Sequence, residues 1–318
     1  MLRALSIVVL IAFAAGTLAH GRAAPQGGTQ SGLPDPVPPP PPPREATEDE
    51  TGGYESLLGD SDQPWGLPDE LLEALFEQAR LYREYTRRFT CVEIARAAQY
   101  DAQGEVSKEK THRYGYLLVK DDVGDGMREL RQPIARDGTL KSSEVKDEDP
   151  FPPAYAWVFL FSRFHEPYFS YRSLGDRFDG FDWVIEIQFK GSLPFTDGKD
   201  IRQWQGVVLV DAVTFTPIEI RAEPTGQAAR INALYRQWAQ SFNILGMRVA
   251  PRPLGYRAEV QFRYRREGLS FPTELRYDTF RATGGNQVTA VRASTRTYSD
   301  YRITKIKTEQ ELGTPSND

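Results

Sequence analysis

Residues 204–224, WQGVVLVDAVTFTPIEIRAEP, constrain the fold more than any other stretch. Four apolar residues, 207–210, run into Asp211, and a short turn follows. Residues 217–221 then set Ile218 and Ile220 against Glu219 and Arg221. Val, Ile, Thr and Phe suit a pleated, half-buried surface, and a period of two sends one row of side chains inward. The spacing predicts two paired strands of a large antiparallel sheet, with the other strands laid down around them.

The same period recurs along the chain. Residues 89–100 and 112–120 read as strands around a turn at 101–109, and 127–134 as a third. Residues 168–174 form another, ended by a turn at Gly175 and Asp176. In 181–189, Trp183, Ile185, Ile187 and Phe189 point one way, with Glu186 and Gln188 opposite. Residues 255–265 alternate as one strand, 271–279 repeat the pattern around Leu275 and Tyr277, and 287–297 and 298–307 close the sheet. The glycines at 124 and 126 and at 284 and 285 lie between extended runs and mark hairpin turns. Helical spacing is confined to fewer places. Leu71, Leu72, Leu75, Phe76, Ala79 and Tyr82 predict a helix over 68–87, with Asp69 and Glu70 at its positive end and Arg80, Arg83, Arg87 and Arg88 gathering toward the other. Residues 154–164 and 227–242 read as two more helices, and 141–153 and 195–202 as polar loops. The expected fold is α+β: a strongly curved antiparallel sheet, a half-open β-barrel of about ten strands, covered by two or three helices.

Flanking segments differ in composition. Arg3, the apolar run 4–19 and small residues at Ala19 and Ala23 predict a secretory signal peptide over 1–23, and the run is short for a membrane span. No cysteine sits there, so a lipid-anchored bacterial lipoprotein is not expected. Residues 24–66, with six consecutive prolines at 38–43, read as a disordered proline-rich linker. The folded domain is expected over 67–310 and a tail over 311–318. The predicted location is the periplasm or cell envelope.

The chemistry-bearing residues are sparse. A formal net charge of −5, more negative still without Arg3 and Arg22, argues against a nucleic-acid partner. Cys91 is the single cysteine, so no intrachain disulfide forms, and a lone thiol in a β-rich stretch reads as a small buried apolar residue. His112 and His165 have neither zinc-ligand spacing nor a nucleophile motif around them. Asp176, Asp179 and Asp182 lack the glycine and final glutamate of a calcium-binding loop and read as a turn. Arg257, Arg263, Arg265 and Arg266 read as a solvated sheet face that resists edge pairing. No catalytic residue, metal or cofactor is expected, and the chain reads as a non-enzyme.

The informative feature is a set of aromatic and aliphatic residues on several strands: Trp183, Ile185, Ile187, Val260, Phe262, Leu275 and Tyr277. A curved sheet with an apolar inner face needs a cover, and the helices either fill the concavity or leave a cavity for an apolar ligand bound by these residues. The order of elements resembles the LolA-like superfamily of periplasmic lipoprotein carriers, which includes the sensor domain of RseB. The resemblance covers 68–308. It rests on the long first helix, the strand 181–189, Gly206 to Asp211 (G-x-x-x-V-D) with 217–220, and the closing Tyr-Ser-Asp-Tyr-Arg at 298–302. The proline tether and the segment 226–253 depart from the carriers. The resemblance implies an exported envelope protein holding a lipid or acylated protein between sheet and helices. The alternative is a sensing module with a filled core and an envelope protein as partner.

Overall fold

The computed structural model describes residues 56–58, 63–85, 89–120, 127–135, 138–141, 151–179, 182–193, 203–245, 252–284 and 287–303, all within the unit Pro43–Asp318. The expected signal peptide, the tail and most of the loops at 141–153 and 195–202 lie outside the described residues.

Helix α1 is Asp69–Tyr85, followed by β1 Phe89–Tyr100, β2 Val106–Lys120 and β3 Met127–Pro133. Helix α2, Ala154–Val158, and a 3-10 turn at Arg163–Tyr168 lead into β4 Phe169–Asp179, β5 Asp182–Ser192, β6 Gln203–Asp211 and β7 Pro217–Pro224. Helix α3 is Gln227–Leu245, and β8 Leu254–Gln261, β9 Tyr264–Arg266, β10 Leu269–Phe271, β11 Glu274–Gly284 and β12 Gln287–Ile303 complete the order. Ten strands form one open antiparallel sheet in the order β3-β2-β1-β12-β11-β8-β7-β6-β5-β4, and β9 and β10 pair separately. The curved half-barrel expected from alternation is the architecture found.

The 204–224 stretch forms β6 and β7. Asp211 Oδ1 accepts the N–H groups of Val213 at 2.9 Å and Thr214 at 2.8 Å and so folds the turn between them. Burial alone would raise this carboxyl. The N–H groups of Thr214 and Val213, the Thr214 hydroxyl and Arg265 outweigh burial and hold it below its ordinary value. A Cβ on Gly206 would lie 2.0 Å from the Arg221 carbonyl oxygen, so only glycine lets the two backbones approach as they do.

Cross-strand register shows how the inner face is built. One rank runs Ser173, Ile187, Val208, Ile220, Val260, Leu275, Arg296, Ala95, His112 across nine strands. The next runs Tyr171, Phe189, Gly206, Ala222, Ala258, Tyr277, Ser294, Ala97, Lys110. Both ranks are apolar from β5 to β11, and beyond that polar residues on β12 and β2 flank alanines on β1. Helices α1 and α2 follow that division. Leu75, Phe76, Ala79 and Tyr82 of α1 are buried, and Tyr82 meets Phe89, Phe159 and Phe271 at 6.1, 5.9 and 5.3 Å between ring centres. From α2, Trp157 packs edge-on against Trp204 at 5.4 Å, and its Nε1–H donates to the Tyr277 hydroxyl at 2.6 Å. Helix α3 contributes to a second, smaller cluster, where Ile231 meets Phe280 and Ala282.

Several boundaries differ from the expectations, each for a local reason. The turn at Gly175 and Asp176 does not form: β4 runs on to Asp179, and a bulge with Gly175 at φ +105° takes up the extra residue. Residues 255–265 are not one strand. The main sheet loses β8 at Gln261, and β9 turns back on β10 through Glu267 and Gly268, both at positive φ as a tight hairpin requires. The closing pair is a single strand, β12, that accommodates Asp300 at φ +54°. The turn at 101–109 shrinks because β2 starts at Val106. Asp101 Oδ1 accepts Gln103 N and Glu105 N at 2.9 Å each and tightens the reversal.

Contacts to the body also reach into the stretch expected as linker. Glu223, fully buried on β7, accepts Ser56 Oγ at 2.6 Å and Leu57 N at 3.0 Å. Gly66 N donates to the Tyr171 carbonyl at 2.7 Å, and the Trp65 ring lies 4.8 Å from the Arg172 guanidinium and 4.1 Å from Lys190 Nζ. The linker expectation over 24–66 is therefore corrected at its C-terminal end, because a buried carboxylate and an aromatic ring dock it on the sheet.

Candidate functional site

The structure brings six of the seven residues of the expected apolar site into one cluster. Ile185, Ile187, Val260, Phe262, Leu275 and Tyr277 are buried together with Trp157, Trp204 and Phe189. Trp183 is not with them. It is 60% exposed and meets Phe178 at 6.0 Å, at the end of β5 beyond the cover. The Tyr277 hydroxyl is committed, donating to the Pro152 carbonyl at 2.6 Å while accepting from Trp157. Between α1 and the sheet there is a cavity of about 20 Å³, bounded by Leu75, Ala79, Tyr82, Trp157 and Ile220 among others. That is room for about one water, whereas sites for small organic ligands run to about 300–1,000 Å³.

On the same inner face, where the ranks turn polar, lies an open trough of about 740 Å³. Its floor is Ala95 and Ala97 of β1. On one side β2 presents Lys110, His112 and Tyr114, and on the other β12 presents Arg292, Ser294 and Arg296. Adjacent strands are about 4.8 Å apart, so the two walls stand about 10 Å apart across the alanines. At the inner end Glu93, with no exposed surface, holds Arg131 Nε at 2.6 Å and Arg296 Nε at 3.7 Å. Arg131 also pairs with Glu129, whose Oε1 accepts the Tyr116 hydroxyl at 2.8 Å. Burial pushes the Glu93 carboxyl up, against the pull of Arg131 and Arg296. The two guanidiniums are thereby fixed in a low-dielectric setting. The alternation at 108, 110 and 112 and at 292, 294 and 296 is visible in the sequence. That the two runs flank one alanine strand is not, because β1 and β12 are nearly 200 residues apart.

The remaining candidates fall in structural roles. Burial raises the Cys91 thiol, as an apolar setting should. His165 is buried in the 3-10 turn with Nδ1 3.0 Å from the Phe159 carbonyl, and burial lowers its pKa. His112 is exposed and stacks on Tyr114 at 6.1 Å. Arg265 bonds Asp211 at 2.9 Å, Arg257 lies 5.2 Å from the Phe280 ring and Arg266 lies 3.9 Å from Glu267, so these three arginines have separate partners. Among the described residues no group of three or more His, Cys, Asp or Glu could hold a metal ion, and no helix is long and apolar enough to cross a membrane.

No protein-family model and no curated protein matches this chain. Among solved structures it is similar to LprF from Mycobacterium bovis, with 8% identity over 74% of this chain and 93% of that one, and a TM-score of 0.21. The relation is a weak one of fold, and it carries no functional argument.

Proposed function

We propose that this chain is a non-enzymatic binding protein of the cell envelope, with the LolA-like half-barrel as its frame, which engages partners through its surface. The exported location rests on residues 1–23. One observation carries the reading: the residues suited to an internal apolar site are packed against α1 and α2 around about 20 Å³ of space. An acyl chain gains about 0.8 kcal/mol per buried methylene, but it would first have to displace rings that already collect that gain. A filled core supports the sensing or interaction module over the carrier. The lipid or acylated-protein reading then requires α1 to lift from the sheet.

The two readings separate on purified protein. Native mass spectrometry of the gently purified chain, with solvent extraction of the same sample, should give the bare protein mass and no stoichiometric lipid. One equivalent of co-purifying lipid would reverse the order of the two readings.

A further inference from the structure

The polar end of the inner face has a geometry that the filled core does not use. Alanines at 95 and 97 lower the centre of a three-strand trough, and long cationic side chains rise on both flanking strands. Arg131 and Arg296 are balanced by Glu93 and Glu129, which fix them. Lys110, Arg292 and Lys141 add charge that those two acids do not offset. This added charge sits at two places. Lys110 and Arg292 stand at the outer end, beside Ala97 and Gln99. Lys141 stands at the inner end, its N–H bonded to the carbonyl of Pro133, which pairs with Tyr114. Tyr114 lies four steps along β2 from Lys110, a span of about 13 Å.

We propose that the trough binds a ligand carrying two phosphate groups separated by a sugar-sized spacer. One phosphate lies between Lys110 and Arg292, and the other beside Lys141 and Arg131. The Arg292 fork matches phosphate oxygens in pairs, while Arg131, held by Glu93 and Glu129, adds positive field at the inner end and not a free fork. Phosphates this far apart gain from both ends of the trough, whereas a single phosphate gains from one. The spacer rests on the alanine floor, where Tyr114 and Ser294 offer polar contact. The trough lies outside the apolar cluster, so the lipid content of the core does not decide this proposal.

The test uses the purified chain and titration calorimetry at low ionic strength. Fructose 1,6-bisphosphate should bind at least tenfold more tightly than fructose 6-phosphate, and added salt should weaken it. Replacing the exposed Lys110 and the half-buried Arg292 together, Lys110→Ala with Arg292→Ala, should abolish that preference, and a circular dichroism spectrum unchanged from the parent's shows that the fold is kept. Arg263→Ala, an exposed charge off the trough, should change neither. Flotation with vesicles containing phosphatidylinositol 4-phosphate, against phosphatidylcholine alone, separates the sources. Vesicle binding lost in the double variant assigns the two phosphates to a headgroup, and sugar-phosphate binding alone assigns them to a soluble ester. Three outcomes overturn the proposal: no binding of either probe, equal binding of mono- and bisphosphate, or undiminished binding by the double variant.

Discussion

Glu223 illustrates how a buried charge is made tolerable by neutral donors. Its carboxylate collects Ser56 Oγ, Leu57 N, Gln205 Nε2 at 3.1 Å and Gln227 Nε2 at 3.4 Å, which tie β7, β6, α3 and the approach segment to one point. Removing the acceptor leaves buried donors unsatisfied, each at about 1–3 kcal/mol. Glu223→Ala should therefore lower the unfolding free energy by about 3 kcal/mol, read from urea melts. Protease cleavage near Ser56 should also speed up. A variant as stable as the parent would show that solvent satisfies those donors. Glu93 makes the contrasting choice and pairs with two guanidiniums, so its loss would leave cations stranded. Neither role was readable in the sequence, where both are one acid among many. Glu93 takes its meaning from partners 38 and 203 residues away, and Glu223 takes its own largely from Ser56 and Leu57, 167 and 166 residues away, and linear pattern carries no such information.

At the scale of elements, legibility tracked how local the cause was. Helix α1 and strands β5 and β6 follow from a repeating apolar period, and they stand where that period placed them. The row through Ile185, Ile187, Val260 and Leu275 was legible for the same reason. Trp183 shares the period of Ile185 but lies past the edge of the cover, and a period cannot say where a cover stops. Positive φ at Gly175, Glu267 and Asp300 moved three boundaries, and two of those residues are not glycine. The short segment after α2 carries a prediction of its own. His165 is buried with its pKa lowered, so the folded state favours the neutral ring. The stability this gives is present above about pH 6.5, the ordinary value, and is lost as pH falls from there toward the lowered one. Between pH 7 and 5 the parent should lose more thermal stability than His165→Gln, which cannot titrate. Parallel pH profiles for the two would reject a titrating role.

For the whole molecule, one curved sheet serves two environments. From β5 to β11 its inner face is sealed by helices, and the same ranks, still buried at Ser294 and Arg296 of β12, open progressively to solvent across β1 and β2. The sealed portion gives rigidity to the open portion through continuous hydrogen bonding across all ten strands. The fold class was evident from alternation alone, yet the trough was not, because it exists only where two distant segments of chain are laid side by side.

That juxtaposition has a temporal side. Among the described strands β12 is made after the other eleven, and it is the one that joins the β1–β3 meander to the strands from β11 to β4. Until it arrives, the nascent chain holds two unjoined fragments with raw edges at β1 and β11, a liability for any sheet protein. Late, long-distance closure of this kind is slow. A chain stopped at residue 286 should accordingly lack a single sharp denaturation transition and should precipitate, and adding a synthetic 287–303 peptide in trans should restore part of both. Strand β12 is thus the keystone of the sheet, and any delay in folding until it is made leaves time for the keystone to be set.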